Sequence, residues 1–240
     1  MSRAAVLTTT EDDLLAAEIV ALRRSRRRLW LLAGLVVLIL GLLGGLSLVA
    51  ARRAEPQHRS TLPMGPASPS GRGSTIVPPR TLSDFTLTSQ TGEPLALSTL
   101  RSKVVLLFFG YTSCPNICPT TLFEFKETRR LLGGASGEVA IIFISVDPDR
   151  DTLSVLARYV GAFDPTFIGL QGEPATLRRV GPEYDLVYQR RTEPGVEGYT
   201  MDHTAIAYLL DQQGLLQVVF PYGTPASALA TDIRALLTRP

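Results

Sequence analysis

The sequence predicts an α/β sandwich with a mixed central β-sheet, preceded by one membrane-spanning helix. An uncharged, strongly apolar segment covers residues 29–51. Farther along, apolar segments at residues 104–111 and 138–147 are each followed by a segment with helical spacing, a pattern that gives parallel strands. Nearer the C-terminus, two apolar segments flank Gln-Gln-Gly, as in a β-hairpin, and this adds an antiparallel pair.

Residues 29–51 are predicted to form a transmembrane anchor. At about 1.5 Å per residue, a helix of this length crosses the hydrocarbon core of a bilayer, which is about 30 Å thick. Five arginines lie just before the segment and only two just after it, so residues 1–28 are predicted to be a cytoplasmic tail. The small residues near Ala50 leave a cleaved signal peptide open as an alternative.

Residues 52–80 are rich in proline, glycine and serine and show no apolar periodicity, which predicts a flexible linker. The folded domain is therefore expected at residues 81–240. With this topology, the protein would be a single-pass protein of the bacterial inner membrane. Its C-terminal domain would face the periplasm or the extracellular side. The net charge of +2 and the absence of a basic face with interleaved aromatic residues argue against binding of nucleic acid.

The elements of the domain follow from local patterns. Residues 104–111 and 138–147 are rich in β-branched and aromatic residues, which predicts two buried strands. A helix is predicted after each strand, and Asp151 is the expected N-cap of the second helix. The rest of the domain is predicted to contain a short strand, a short helix, a strand ending in Tyr-Gln-Arg-Arg and the hairpin. A last amphipathic helix is expected to be capped by Thr224.

Both cysteines of the chain, Cys114 and Cys118, follow the strand at 104–111 and precede a helix. Outside the cytoplasm they could form a structural disulfide, a redox pair or part of a metal site. A disulfide would close a very short loop, which contributes little stability. A helix N-terminus lowers the pKa of a thiol, so both reactive alternatives remain, although thioredoxin-type catalysts have one residue fewer between the cysteines.

A metal site needs a further ligand, and His203 is the only histidine within residues 81–240. Such a residue is commonly a satisfied polar group, but it lies next to an apolar strand whose loop could reach the cysteines. Two thiolates and one imidazole form a soft ligand set that selects Cu(I), and the nitrogen lets the site hold Cu(II) as well.

Three motifs together resemble the Sco/SenC proteins, which are membrane-anchored copper-binding proteins. They are DFTLTSQTGEPLALSTLRSKVVLLFFGYTSCPNICP, ISVDPDRDT and DHTAIAYLLD, in that order. The resemblance implies a thioredoxin-like fold and one copper ion held by Cys114, Cys118 and His203. It also implies delivery of copper to the binuclear copper centre of cytochrome c oxidase, or reduction of the cysteines of that centre. The expected partners are the copper-receiving oxidase subunit and a copper donor protein.

Five further residues lie close to these three in the sequence or in the matching motifs. Ser113 replaces a residue that is often histidine in the family, and Asn116 replaces the usual aspartate, so Asn116→Asp is predicted to change copper affinity. Asp147 is interpreted as a turn residue. Asp202 is either a partner that orients the His203 ring or a turn residue. Met201 would share a strand face with His203 and is expected to pack there.

The leading hypothesis is a copper chaperone, which is a binding protein and not an enzyme. The alternative is a thiol–disulfide oxidoreductase that uses only Cys114 and Cys118, and a copper- or redox-sensing regulator also remains open. A peroxidase is disfavoured because no arginine lies within the cysteine motif. His203 discriminates between the two main hypotheses, since copper binding needs it and dithiol exchange does not.

Overall fold

The computed structural model describes residue 38, residues 61–192 and residues 198–239. Beyond residue 60 the described chain forms eleven strands and four α-helices. The strands are β1 (Met64–Ala67), β2 (Ser74–Thr81), β3 (Thr86–Ser89), β4 (Pro94–Ala96), β5 (Val104–Gly110), β6 (Val139–Ser145), β7 (Ile168–Gln171), β8 (Tyr188–Arg191), β9 (Thr200–His203), β10 (Ile206–Leu210) and β11 (Leu215–Pro221). The helices are α1 (Ile117–Leu132), α2 (Leu153–Phe163), α3 (Pro174–Val180) and α4 (Ala226–Leu237).

Nine of these strands form one mixed sheet in the order β1-β2-β11-β10-β5-β6-β7-β3-β4. Strands β5, β6 and β7 are parallel, and the other pairs are antiparallel. The predicted mixed sheet is therefore confirmed. Strands β8 and β9 pair with each other in a separate two-stranded ribbon.

The core lies around β5 and β6, which are buried at every position. Such strands are apolar throughout because other elements cover both faces of the sheet. Helix α1 packs against α4, and Phe125 of α1 meets Phe108 of β5 edge to face, with ring centroids 6.4 Å apart. The sheet places the carboxyl end of β5 near its centre, which is where open α/β sheets hold their sites.

The prediction of a flexible linker as far as residue 80 is wrong at its C-terminal end. Residues 64–81 contain β1 and β2, and β2 pairs with β11. Leu62 and Ile76 are buried in the core. The sequence does not indicate these strands because Ile76 is the single fully buried position of β2, so no apolar alternation appears.

The predicted tail and anchor, at residues 1–51, lie outside the described residues except for Leu38. Residues 52–60 lie outside them as well. Within the described part of the chain, no helix combines the length and the apolar character needed to cross a bilayer.

Both predicted helix caps are wrong. The N-cap of α2 is Thr152, whose Oγ1 accepts a hydrogen bond from the Val155 N–H at 3.4 Å. Helix α4 begins after Pro225, which has no capping side chain, and the Ala226 N–H donates instead to Glu124 Oε2 at 2.6 Å. A carboxylate from α1 therefore satisfies the first turn of α4. Such a long-range cap leaves no local sequence signal.

Candidate metal centre

The cysteine loop connects the end of β5 at Gly110 to the start of α1 at Ile117. Cys118 lies in the first turn of α1, and its N–H donates to Cys114 Sγ at 3.5 Å. Asn116 precedes the helix, but its side chain makes no capping hydrogen bond. The Cys114 sulfur therefore accepts a hydrogen bond from one of the free N–H groups of the first helical turn, at the positive end of the helix dipole.

The two thiols differ in acidity. Hydrogen bonds from the Cys118 thiol and from backbone N–H groups outweigh burial and lower the pKa of Cys114 to about 3. The pKa of Cys118 is raised because its thiol is held by Cys114 and because it is buried. Both cysteines are free, so at neutral pH the loop presents a thiolate beside a thiol.

His203 ends β9 and pairs with Tyr188 of β8. Its Nδ1 lies 3.1 Å from the Thr204 carbonyl oxygen. A carbonyl only accepts, so Nδ1 carries a proton, and in the tautomer with this single proton the lone pair lies on Nε2. That atom lies 3.5 Å from Cys118 Sγ. The rings of Phe108 and Tyr111 pack edge-on against the imidazole, with centroids 5.9 Å and 5.7 Å away.

The three predicted residues thus form a group able to bind a metal ion. One donor atom from each of Cys114, Cys118 and His203 lies within 4.8 Å of the other two. Sulfur and nitrogen ligands at about 2.0–2.3 Å from one ion can be up to about 4.6 Å apart, so a small movement closes the site. The group lies in an open cleft whose remaining lining residues are Tyr111, Pro115, Asn116, Ile117, Thr200, Met201 and Asp202.

Asp151 fastens the cysteine loop, and sequence analysis missed this role. Its carboxylate is fully buried and accepts from the Thr112 N–H at 3.0 Å, from Thr112 Oγ1 at 2.6 Å and from Ser145 Oγ at 2.6 Å. It therefore ties the segment just before Cys114 to the end of β6. No local signal separates this aspartate from an ordinary helix cap.

Asp147 does more than form a turn. Its carboxylate accepts from Arg150 Nε at 2.5 Å and from the Tyr199 hydroxyl at 2.7 Å. Arg150 Nη1 also donates to the Tyr199 carbonyl at 2.8 Å, and its guanidinium lies 3.8 Å from the centroid of the Tyr199 ring. These contacts hold the segment just before β9 against the end of β6.

Asp202 does not orient His203. Its carboxylate pairs with Arg191 across the β8–β9 ribbon, whereas the His203 Nδ1 is bound by a backbone carbonyl. Met201 is buried and lines the cleft, in agreement with the expected packing role. Asn116 and Ser113 are exposed, and neither belongs to the donor group.

Comparison with known proteins agrees with this geometry. Residues 74–238 match the SCO1/SenC family model. A SCO2-like protein of Rickettsia felis is 36% identical over 132 residues, which cover 55% of this chain and 64% of that protein. The mitochondrial SCO2 homolog of Bos taurus is 33% identical over 153 residues, which cover 63% of this chain and 58% of that protein. The chain thus spans less than two thirds of each relative.

Two solved structures with copper bound share the fold. ScoI of Bradyrhizobium japonicum is 39% identical, with a TM-score of 0.60, over 65% of this chain and 98% of that chain. Yeast Sco1 is 25% identical, with a TM-score of 0.60, over 68% of this chain and 91% of that chain. The predicted thioredoxin-like α/β fold is confirmed. Because the family model matches well over half of its residues, the chain belongs to the SCO1/SenC family.

Proposed function

We propose that this protein is a copper chaperone that holds one copper ion on Cys114, Cys118 and His203. The observation that carries the proposal is the convergence of two sulfurs and one imidazole nitrogen within 4.8 Å. This donor set is soft enough for Cu(I), and its nitrogen also suits Cu(II). The hydrogen bond from His203 Nδ1 to the Thr204 carbonyl leaves Nε2 available as the ligating atom.

The site suits release as well as binding. Three ligands leave a coordination position open, and the cleft around them faces solvent. An incoming soft ligand from a partner can therefore approach the ion before the chain's own ligands leave. We infer that the receiving partner is the subunit with the binuclear copper centre of cytochrome c oxidase, and that a separate donor protein loads the site. Sco family membership supports both inferences.

The test is copper stoichiometry in the reduced full-length chain and in three single variants, Cys114→Ser, Cys118→Ser and His203→Ala. One equivalent is expected in the parent, and a loss of copper affinity of at least about 100-fold is expected in each variant. Thr200→Ala, on the same cleft, serves as a control that removes no ligand. Undiminished copper binding by His203→Ala would show that the three-ligand site is wrong.

A thiol–disulfide reductase remains a second candidate, and the acidity of Cys114 favours it. In that reaction the Cys114 thiolate attacks a partner disulfide, forms a mixed disulfide and releases one partner thiolate. The Cys118 sulfur then attacks Cys114 Sγ, and the second partner sulfur leaves as a thiol that takes up the Cys118 proton. The partner gains two electrons, and the chain ends with a Cys114–Cys118 disulfide.

The two candidates predict different behaviour of His203→Ala. A reductase keeps most of its rate of disulfide reduction in this variant, because both sulfurs remain. A chaperone loses copper. Measuring both properties on the same preparation distinguishes the two functions.

We also propose that residues 29–51 anchor the protein in the bacterial inner membrane, with the domain on the outer side. Cell fractionation tests the anchor, and protease access to the domain in spheroplasts tests the orientation. Protection of the domain in intact spheroplasts would contradict this topology.

A further inference from the structure

Asp185 is a buried aspartate outside the donor group. It has a left-handed backbone conformation with φ of 50°, and only 4% of its surface is exposed. Its carboxylate accepts from the Thr61 N–H at 2.8 Å, from Thr61 Oγ1 at 2.5 Å and from the Leu62 N–H at 3.2 Å. The first described residues of the domain are therefore bound to this one side chain.

The backbone of the same segment holds Thr204, the residue after His203. The Asp185 carbonyl accepts from Thr204 Oγ1 at 3.1 Å, and Thr204 Oγ1 accepts from the Val187 N–H at 2.9 Å. The Thr204 N–H donates to the Val187 carbonyl at 2.9 Å. The Thr204 carbonyl in turn accepts from His203 Nδ1. Three sets of hydrogen bonds, joined through the covalent bonds of Asp185 and of Thr204, thus connect Thr61 to the imidazole.

We propose that Asp185 is a positioning residue for His203, and that it acts through Thr204. The inference rests on the proposed function, since it concerns how a copper ligand is held. The carboxylate fixes the segment before β1, while the carbonyl of the same residue supports Thr204. Because both groups belong to one residue, releasing Thr61 and Leu62 loosens the support of Thr204. The carbonyl that orients the His203 ring then becomes mobile.

The test compares Asp185→Asn with Asp232→Asn in the full-length chain. Asparagine tolerates the left-handed conformation, so the substitution removes charge and acceptor capacity without adding strong backbone strain. Asp232 is the matched control because it is also buried, at 1% exposure. It accepts three hydrogen bonds from the same N-terminal segment, from Ser68 Oγ at 2.6 Å and from the N–H and Oγ of Ser70 at 2.7 Å each. None of these bonds leads to His203.

The first measurement is made without metal. Nitrogen-15 spectra of the imidazole report the fraction of the tautomer protonated at Nδ1, and hydrogen exchange reports how well that proton is protected. We expect Asp185→Asn to lower both quantities and Asp232→Asn to leave them unchanged. The second measurement is copper affinity by chelator competition. Changes around a ligating histidine typically cost 10- to 100-fold, and Asp185 acts one residue removed, so about a three- to tenfold loss is expected.

Two outcomes would overturn the inference. One is an unchanged imidazole spectrum in Asp185→Asn, and the other is an equal change in both variants, which would indicate general loosening of the N-terminal segment. A parent chain that binds no copper would instead refute the proposed function. The metal-free spectra would still decide whether Asp185 positions His203.

Discussion

Replacing Asp151 by alanine is expected to lower the free energy of unfolding by about 4 kcal/mol. The carboxylate is fully buried and accepts three hydrogen bonds, two from Thr112 and one from Ser145. A hydrogen bond to a charged group contributes about 1.5–3 kcal/mol, and a buried donor left without a partner costs about 1–3 kcal/mol. Three bonds at the low end of about 1.5 kcal/mol each give slightly more than 4 kcal/mol. The cost of unpaired donors is not added, because water can enter the cavity that alanine leaves and accept from them.

Asp151→Asn should cost less, about 1–2 kcal/mol. The amide oxygen can still accept from the Thr112 N–H, and the amide nitrogen can donate to the Thr112 hydroxyl, so mainly the charge assistance is lost. The assay is urea unfolding followed by the near-ultraviolet circular dichroism of the buried tyrosines. If the free energy of unfolding falls with urea concentration at the same slope in the parent and in the variants, only stability has changed.

Asp149→Ala is the control because this nearby aspartate is exposed and, among the residues that the structure describes, pairs with Arg190 alone. Exposed ion pairs contribute about 0–1 kcal/mol. If Asp151→Ala and Asp149→Ala unfold within about 1 kcal/mol of each other, Asp151 does not fasten the cysteine loop. The reasoning from buried hydrogen bonds would then fail.

Three further predictions concern the sulfurs and the N-terminal strands. The alkylation rate of Cys114 should stay on its thiolate plateau down to about pH 4 and fall as pH drops through its pKa of about 3. In Cys118→Ala, which lacks the donating thiol, the midpoint should rise toward the ordinary value of about 8.5. In Gly110→Ala the new Cβ would lie 2.8 Å from Cys118 Sγ, so copper affinity should drop and stability should fall by about 1–3 kcal/mol. A fragment of residues 81–240 should aggregate on size-exclusion chromatography, because removing β2 exposes the edge of β11.

Each of these predictions has a control. Cys118→Ser keeps a donor and should raise the Cys114 midpoint less than alanine does, and equal midpoints in all three proteins would exclude the hydrogen bond as the cause. Gly134→Ala adds a Cβ in open space and should change neither copper affinity nor stability. A fragment of residues 61–240 retains β1 and β2 and should stay monodisperse. A monodisperse 81–240 fragment would show that these strands are dispensable.

Strands β5 and β6 could be predicted because their burial is continuous. Every residue from 104 to 110 and from 139 to 145 is buried, so the sequence there is uniformly apolar and bounded by polar residues. The hairpin of β10 and β11 is predictable for the same reason. Helix α2 is predictable because Leu156 and Val160 lie one turn apart and are both buried. Burial that repeats along an element leaves a pattern in the sequence.

The N-terminal strands could not be predicted for the opposite reason. Strand β2 contains two adjacent prolines and one fully buried side chain, Ile76. Its place in the sheet depends on backbone hydrogen bonds to β11. Every residue has the C=O that such bonds need, and every residue except proline has the N–H, so these bonds leave no pattern in the sequence. Composition therefore indicates a linker, whereas the fold uses the segment as part of the sheet.

The donor set itself was predictable because thiol and imidazole groups are rare and chemically distinctive. The groups that position these thiols and this imidazole are not predictable from the sequence. The Thr204 carbonyl is a backbone group, and no side-chain pattern marks it as the acceptor for His203. Asp151 follows a turn and precedes a helix, a position that ordinarily indicates a cap. Its true partners, in the cysteine loop and at the end of β6, lie outside that local context.

Three buried aspartates hold segments of the chain that lie outside regular secondary structure. Asp151 binds the loop before Cys114, Asp147 binds Tyr199 before β9, and Asp185 supports Thr204. The segments around the donor group contain few regular backbone hydrogen bonds, so their N–H and hydroxyl groups need acceptors. A buried carboxylate needs donors for the same reason. The carboxylates of Asp151 and Asp147 meet both needs at once, and each fixes one irregular segment beside the donor group. The Asp185 carboxylate fixes the segment before β1, and its backbone carbonyl accepts from Thr204. Hydrogen bonds on the protein side of the donor group thus hold the sulfurs and the imidazole close together. The solvent-facing side of the group, in the cleft, stays open to an exchanging ligand.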